Sequence, residues 1–415
     1  MPDADSDSGA GEHAEVGPEP AVCTLEEVAR SHLRLADGTY AYVEPQALLP
    51  APGGFLLAGQ PTYTSSVNET GRGSLVDERT FFGVRVTAEG GVIPVPQPAG
   101  VARIEWVRGT AVDGSRWDFV FDEVAPDAEV IADPERVVFG ALDGTGEWLD
   151  VETLPTPPTG VLESASTATI RSGPGNTRIS IVAAEETGRR DVLRYRRTEA
   201  GWRTDLLWPR WVDQALLHHA EGRPRLVLTG LAPELRARSR GVRVVTLPAD
   251  AAPDMGPGDA PPVSTRHRVV SPEVHFRDAR AAGDARLDVG WLEAGPDAPT
   301  SAWLVRGATR PGAAVEPLAS AAVQLSAAAL SDSATVWITH EPEPMGSAET
   351  SSLGFTVALP SGTVRAGRIP NPFHGPYAAL LAAPDSLWVV GPDATFGAVG
   401  SFVRSLVLRL ALSCT

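Results

Sequence analysis

The sequence contains no lysine, and its charge is strongly acidic. All 35 basic residues are arginines against 52 acidic residues, which gives a formal net charge of −17. Without lysine, Schiff-base chemistry and a Walker-type phosphate loop are excluded. The acidic excess argues against nucleic acid and anionic membrane surfaces as partners, because both require a basic face. The use of Arg alone, with so much Ala, Gly and Pro, is typical of a GC-rich bacterial genome.

Long apolar segments are also missing. No run approaches the length of a membrane-spanning helix, so we expect no membrane span. Residues 1–22 are acidic and lack an apolar period, which predicts a disordered tail without a signal peptide. This tail resembles the acidic tether that follows the lipidated cysteine of bacterial lipoproteins. The resemblance implies a native start upstream of Met1, a lipid anchor there, and a location in the cell envelope or outside the cell.

Glycine and proline are abundant, with 41 and 37 residues, and they divide the chain into short strands. Seven apolar runs each follow a Gly, Pro, Asp or Ser turn, as in "FLLAG" (55–59) and "ATVWITH" (334–340). A short strand precedes each run and a third strand follows it, at intervals of about 54 residues. Five copies continue into a fourth strand. The chain therefore resembles the generic β-propeller pattern, and we predict an all-β, seven-bladed propeller.

The two ends of the chain complete this pattern. The last repeat stops after its third strand, whereas "GTYAYVEP" (38–45) has the features of a fourth strand without the first three. We predict that the strand around 39–43 closes the last blade within a single domain of residues 23–415. Closure hides both sheet edges, so we expect a monomer. In the fourth repeat, the fourth strand is predicted at "RHRVV" (266–270), after an insertion.

Ring closure would also bring the chain's two cysteines together. Cys23 and Cys414 are the only cysteines, one near each end. Their approach to a common blade predicts a disulfide, which implies an oxidising compartment. The alternative is two unrelated free thiols.

A turn at 140–148, "GALDGTGEW", resembles the Ala-x-Asp…Thr-Gly…Trp signature of quinone-dependent propeller dehydrogenases. The spacing from Asp143 to Thr145 is one residue short, Trp148 comes early, and one copy is present where that family has many. We therefore interpret the stretch as a tight hairpin turn with a core-facing Trp.

Five acids follow a proline in the predicted connections between second and third strands: Asp127, Glu234, Asp297, Glu343 and Asp393. In propellers these connections lie on the face where ligands usually bind. The acids would then surround the channel mouth and attract a cation or a basic peptide. The alternative is turn chemistry, because proline fixes φ and acids are soluble in exposed loops.

The longest polar connection, at 59–79, offers Tyr63, Asn68, Arg72 and Asp77 for stacking and hydrogen bonding to a sugar or peptide. Its alternative is a loop without function. At the start of the sixth repeat's long loop, His340 and Glu341 are the only neighbouring His and acid on the predicted ligand face, which makes His340 a further candidate for ligand binding. We expect the two side chains to form a solvated pair rather than an acid–base dyad.

We expect no metal site and no cofactor. His218 and His219 are adjacent on a predicted strand and point to opposite faces, which prevents joint ligation. The segment "DADSDSG" (3–9) resembles the start of a calcium loop but has no glutamate at the twelfth position.

These patterns favour an exported binding or interaction module over an enzyme. Its ligand would be a protein, a peptide or a glycan. The alternative is a carbohydrate hydrolase or lyase that uses the same face, which would require two carboxyl groups about 5–10 Å apart.

Overall fold

The computed structural model of the protein describes most of the chain after residue 21. The described residues are 22–38, 41–64, 81–87, 89–112, 114–124, 136–155, 169–171, 178–184, 190–208, 214–220, 223–229, 241–246, 262–264, 268–277, 286–294, 300–306, 313–331, 334–342, 351–373, 379–383, 386–393 and 404–415. The predicted tail at 1–22 lies outside them except for its last residue.

The described residues are all-β and form 28 strands. The first thirteen are β1 (Cys23–His32), β2 (Ala41–Ala51), β3 (Gly54–Thr64), β4 (Phe82–Thr87), β5 (Val92–Val95), β6 (Ile104–Ala111), β7 (Arg116–Glu123), β8 (Arg136–Asp143), β9 (Trp148–Thr153), β10 (Thr169–Arg171), β11 (Arg178–Ala184), β12 (Arg190–Thr198) and β13 (Gly201–Trp208). The others are β14 (Gln214–Ala220), β15 (Arg223–Thr229), β16 (Gly241–Thr246), β17 (Pro262–Ser264), β18 (Arg268–Arg277), β19 (Arg286–Ala294), β20 (Ser301–Val305), β21 (Val315–Ala319), β22 (Gln324–Ser331), β23 (Ala334–Glu341), β24 (Ser352–Leu359), β25 (Gly362–Pro370), β26 (Ala379–Ala383), β27 (Ser386–Pro392) and β28 (Ser405–Cys414).

These strands form seven four-stranded antiparallel sheets. The first six sheets take four consecutive strands each, from β2–β5 to β22–β25, and the seventh has the order β1-β28-β27-β26. The first strands of consecutive sheets lie side by side from β2 to β26, and β26 lies beside β2 again. This arrangement is that of a β-propeller, and each predicted apolar run is the second strand of a sheet.

The strand that completes the seventh sheet is not the predicted one. β1 pairs with β28, whereas residues 41–51 form β2, the first strand of the first sheet. The prediction at 39–43 was wrong because Pro45 was interpreted as a strand exit. In the structure, β2 continues past Pro45 through an irregularity in its register with β3.

A second correction concerns the fourth sheet. Its last strand is β17, which pairs with β16 through the register Val242↔Val263. The predicted strand at 266–270 instead overlaps β18, the first strand of the fifth sheet. The error arose because Pro262 and the short length of β17 give a weak strand signal, whereas the apolar pair after Arg268 gives a strong one.

Aromatic side chains join the second sheet to the first. The indole N–H of Trp117 donates to the Pro50 carbonyl at 2.8 Å, and that of Trp148 donates to the Pro96 carbonyl at 2.8 Å. The Trp148 ring also meets Phe81, which directly precedes β4 of the first sheet, edge-on. The hydrogen bonds fix the spacing of the two sheets while the rings fill the space between them.

The predicted disulfide is present. Cys23 and Cys414 are bonded, with Cα atoms 4.1 Å apart, and they are also register partners at the end of the β1–β28 pair. Next to the bond, Val22 and Thr415 exchange two backbone hydrogen bonds. The bond therefore fastens the two ends of the domain in one sheet and indicates an oxidising environment. Within the described residues, no helix is long and apolar enough to cross a membrane.

Candidate functional site

Four of the described second strands end in a buried acidic side chain. Glu123 ends β7, Glu341 ends β23, Glu293 is the last but one residue of β19, and Asp393 directly follows β27. Each of these residues is between 2% and 6% exposed. We call the four residues the acidic rim. Burial of a carboxylate is costly unless it is hydrogen-bonded or paired with a cation, so the partners of each rim residue define its role.

Glu123 has partners on two sides. One carboxylate oxygen accepts a hydrogen bond from the Ala102 backbone N–H at 2.8 Å, and the other accepts from the Arg136 guanidinium. Arg136 is also the residue opposite Glu123 in the register of β7 with β8. Because Ala102 precedes β6, Glu123 fixes the entry of the chain into the second sheet as well as its second strand.

Glu341 lies at the centre of a larger network. Thr339 donates its hydroxyl at 2.6 Å to one oxygen, which also accepts from Arg365 at 2.6 Å. Arg368 donates to the other oxygen. Burial raises the pKa of Glu341, but these hydrogen bonds and the charge of Arg365 outweigh burial and leave the pKa below 4.5. Glu341 is therefore held as a carboxylate.

Asp393 is paired with a residue from the other end of the chain. Its carboxylate lies 2.5 Å from His32 Nε2, at the end of β1, and its backbone N–H donates to the Arg404 carbonyl at 2.7 Å. The contact joins β1 to the end of the second strand of the same sheet. Asp393 thus supports the closure of the seventh sheet.

His340 lies beside this group but faces the opposite side of its strand from Glu341. The Asn371 side chain accepts the Phe373 N–H at 3.0 Å, which fixes the orientation of the amide. Its NH₂ group then donates to His340 Nε2 at 3.0 Å, so the proton of a neutral His340 is on Nδ1. Nδ1 is buried and has no partner among the described residues. Because Phe373 also forms a β-bridge with Asp393, one short segment connects His340 to Asp393.

His340 is expected to make the protein less stable as the pH falls below 6.5, the ordinary pKa of histidine. Burial lowers the pKa of His340 in the folded protein. Below pH 6.5 the unfolded chain therefore binds a proton more readily than the folded protein does. The free energy of unfolding then falls by at most about 1.4 kcal/mol per pH unit. In urea unfolding, His340→Gln should show a shallower loss between neutral and mildly acidic pH. Parallel pH profiles for the two proteins would contradict this assignment.

The sequence-predicted candidates are only partly described. His340 and Asp393 lie in the described part, and a single segment links them. His340 and Glu341 are both buried, so the expected solvated pair is wrong. The structure places Tyr63 on β3 without describing its side chain. The others lie outside the described residues, and their roles stay predictions: Asn68, Arg72, Asp77, Asp127, Glu234, Asp297 and Glu343.

The sequence analysis did not predict that three members of the acidic rim are buried, namely Glu123, Glu293 and Glu341. A signal was available. Four of the seven apolar second strands end in or next to such an acid, as in "FVFDE" (119–123) and "VGWLE" (289–293). The predicted carboxylate ring rests instead on the acids that follow proline, and Asp393 belongs to both sets.

The turn at 140–148 is structural, as predicted. One oxygen of Asp143 accepts hydrogen bonds from the backbone N–H groups of Thr145, Gly146 and Glu147, at 2.9–3.0 Å. These bonds lower the pKa of Asp143 after the leading contribution of the Thr145 hydroxyl. Gly146 has a φ of 94°, which favours glycine. The turn delivers Trp148 to the interface with the first sheet.

Comparisons with known proteins bear on the fold through solved structures alone. No protein-family model matches the chain, and no curated protein matches it. A fungal alcohol oxidase of the AA5 family, solved in complex with copper, is 12% identical with a TM-score of 0.52 and covers 93% of this chain and 76% of its own. A protein of unknown function from Dyadobacter fermentans is 9% identical, with a TM-score of 0.49 and coverages of 94% and 99%. An α-L-arabinanase from Penicillium chrysogenum, complexed with arabinobiose, is 12% identical, with a TM-score of 0.45 and coverages of 75% and 95%.

At such identities the likeness concerns the fold alone. The similarity to the alcohol oxidase, with a TM-score of 0.52, supports the β-propeller class that the order of the sheets indicates. Neither the other two similarities nor the chemistry of these proteins bears on the site described above.

Proposed function

We propose that the chain is one closed seven-bladed propeller domain of residues 23–415, with the N-terminal strand closing the last blade, and that it serves as a binding module for a peptide or a glycan. The observation that carries this proposal is an asymmetry between connections. In five of the seven sheets, the connection from second to third strand is much longer than the one from first to second strand. In the first sheet the two connections cover 65–81 and 52–53, and in the seventh they cover 393–404 and 384–385.

In a closed ring of equivalent sheets, these long connections share one face. Most of the predicted ligand contacts belong to connections from a second to a third strand: Asn68, Arg72 and Asp77 in the first sheet, and the acids that follow proline in later sheets. Long polar segments on a rigid scaffold are where proteins usually place binding residues. The ring supplies the rigidity, and the connections supply the contacts.

The acidic rim supports binding over hydrolysis. Glycoside hydrolysis needs two carboxyl groups that reach the sugar and exchange protons or attack the anomeric carbon. Glu123, Glu341 and Asp393 instead hold Arg or His partners of the same chain. Rim carboxylates with internal partners stabilise the strand ends from which the connections leave.

The disulfide and the acidic tail support export. A bond between Cys23 and Cys414 persists in the periplasm or outside the cell, where thiols are not kept reduced. We propose that residues 1–22 tether the domain to the cell envelope, through a lipid anchor upstream of Met1. The domain itself would act as a monomer.

The proposal predicts binding without turnover. The disulfide-bonded protein would be titrated calorimetrically with neutral polysaccharides, chitosan oligosaccharides and short basic peptides, and the glycan mixtures would be assayed for new reducing ends. We expect at least one probe class to bind and no reducing ends to appear. Replacing 65–80 by a short Gly-Asn turn should abolish binding of that probe, because it removes Asn68, Arg72 and Asp77.

A matched control replaces the exposed residues Glu199 and Ala200, on the turn between β12 and β13, by Gly-Asn. This variant should bind like the wild type. If no probe binds, the binding role is wrong. If reducing ends appear in proportion to enzyme, the hydrolase or lyase alternative replaces it.

A further inference from the structure

One member of the acidic rim differs from the other three. Glu293 is 2% exposed, and one of its oxygens accepts a hydrogen bond from the Trp291 indole at 2.8 Å. The other oxygen is buried and has no hydrogen-bond partner among the described residues. A buried carboxylate oxygen without a partner carries a desolvation cost that its equivalents in the other sheets avoid.

The second sheet shows what Glu293 lacks. There the residue opposite the rim acid is Arg136, and its guanidinium binds Glu123. In the fifth sheet the residue opposite Glu293 is Ser301. Ser301 accepts the indole N–H of Trp303 at 2.8 Å and carries no charge. The cation supplied by the third strand in the second sheet is therefore missing in the fifth.

The sixth sheet delivers its cations by another route. Arg365 and Arg368 come from the fourth strand. The Arg365 side chain passes over Gly354, where a Cβ atom would lie only 2.0 Å from its guanidinium and 2.1 Å from Glu341. Ser352 is the residue opposite Glu341, and Gly354 lies two residues after it. A glycine at this position leaves the space that the guanidinium occupies.

In the fifth sheet this second route is also closed. The position equivalent to Gly354 is Trp303, whose register partner on β21 is Pro317. The Arg that follows β20, Arg306, is bound to Glu316 and to the Leu359 carbonyl. Neither the third nor the fourth strand thus offers Glu293 a basic group.

The partner groups of the rim come from the solvent side. The side chains of Arg136 and Arg368 are 43% and 59% exposed, although the carboxylates that they bind are buried. A guanidinium on a long side chain therefore reaches a rim carboxylate from outside. A side chain of another molecule would reach Glu293 from the same side.

We propose that Glu293 is a binding site for an arginine side chain of a basic peptide or protein segment. A guanidinium would donate a hydrogen bond to the free oxygen of Glu293, as Arg136 does to Glu123. The Trp303 ring on the same face of the sheet would add a cation–π contact. Within the described residues, no group of three His, Cys, Asp or Glu side chains is placed to hold a metal ion, so the organic cation is favoured. The net charge of −17 would draw such a ligand to the protein.

This inference rests on the proposed binding role and names the class of ligand. Fluorescence polarisation with a labelled hexa-arginine peptide at physiological salt tests it. Glu293→Gln should weaken binding about tenfold or more, because the charge-assisted hydrogen bonds are lost. Glu147→Gln removes the same charge from an exposed turn and should bind like the wild type.

A second pair of variants fills the site from within. Ser301→Arg places a guanidinium opposite Glu293, as in the second sheet, and should both weaken peptide binding about tenfold and raise the melting temperature. Ser301→Gln is its neutral control. Equal affinities within either pair, or a wild type that does not bind the peptide, would overturn the inference. The binding role itself would survive these results if a glycan or a peptide without arginine still bound.

Discussion

Removal of the Cys23–Cys414 disulfide is expected to lower the free energy of unfolding by about 5 kcal/mol. The two cysteines are 391 residues apart in sequence. A cross-link between such distant positions strongly restricts the unfolded chain, and its loss releases that conformational entropy. Few single changes in this protein should cost as much.

The loss should be concentrated in one strand. Seven of the ten residues of β1 are exposed, so side-chain packing contributes little to its attachment. Without the disulfide, β1 depends on its hydrogen bonds to β28 and on the contact of His32 with Asp393. Opening of β1 would expose the edge of β28 and favour pairing with another molecule.

The comparison requires the double variant Cys23→Ala/Cys414→Ala, because a single substitution leaves a reactive thiol. Guanidinium unfolding of this variant and the wild type, each with and without a reductant, gives the free energies. The reduced wild type should match the variant, and the variant should not respond to the reductant. A difference of less than about 1 kcal/mol between the oxidised wild type and the variant would contradict the role of the bond in stability. Light scattering at the same protein concentrations would report the predicted association.

The central strands could be predicted from sequence because their signal is local. An apolar run after a turn, as in "ATVWITH" (334–340), identifies a buried second strand such as β23, whose side chains are all buried. β1 gives no such signal, since "CTLEEVARSH" (23–32) is polar on both faces. An outermost strand is specified by its hydrogen bonds to a neighbour, and here that neighbour lies at the other end of the chain.

The partners of the acidic rim could not be predicted for a related reason. Glu123 and Arg136 are 13 residues apart, whereas His32 and Asp393 are 361 residues apart. The cation comes from a third strand in one sheet and from an outermost strand in another. Only the strand registers show which acid meets which base, and they also show that Glu293 meets none among the described residues.

Glu341→Gln is expected to destabilise the protein by about 2–4 kcal/mol at neutral pH. Removal of one member of a buried ion pair usually costs about 3–5 kcal/mol, and the partial exposure of Arg365 and Arg368 reduces the cost here. The variant leaves two guanidinium groups beside a neutral amide that has only one acceptor oxygen. The end of β23 would lose its link to the fourth strand, β25.

The same substitution should change the response to acid. The pKa of Glu341 is below 4.5 in the folded protein, so its contribution is complete above that pH and is lost as the pH falls through the folded pKa. Urea unfolding across this range should show a shallower acid-side loss for Glu341→Gln than for the wild type.

The matched control is Glu27→Gln, which breaks an exposed ion pair with Arg30 on the surface of β1. Surface pairs contribute at most about 1 kcal/mol, and salt screens them. We therefore expect Glu341→Gln to cost at least about twice as much as Glu27→Gln, with the difference largely retained at high salt. Equal losses of stability in the two variants would mean that solvent, rather than Glu341, balances the charges of Arg365 and Arg368. The acidic rim would then have no structural role in the sixth sheet.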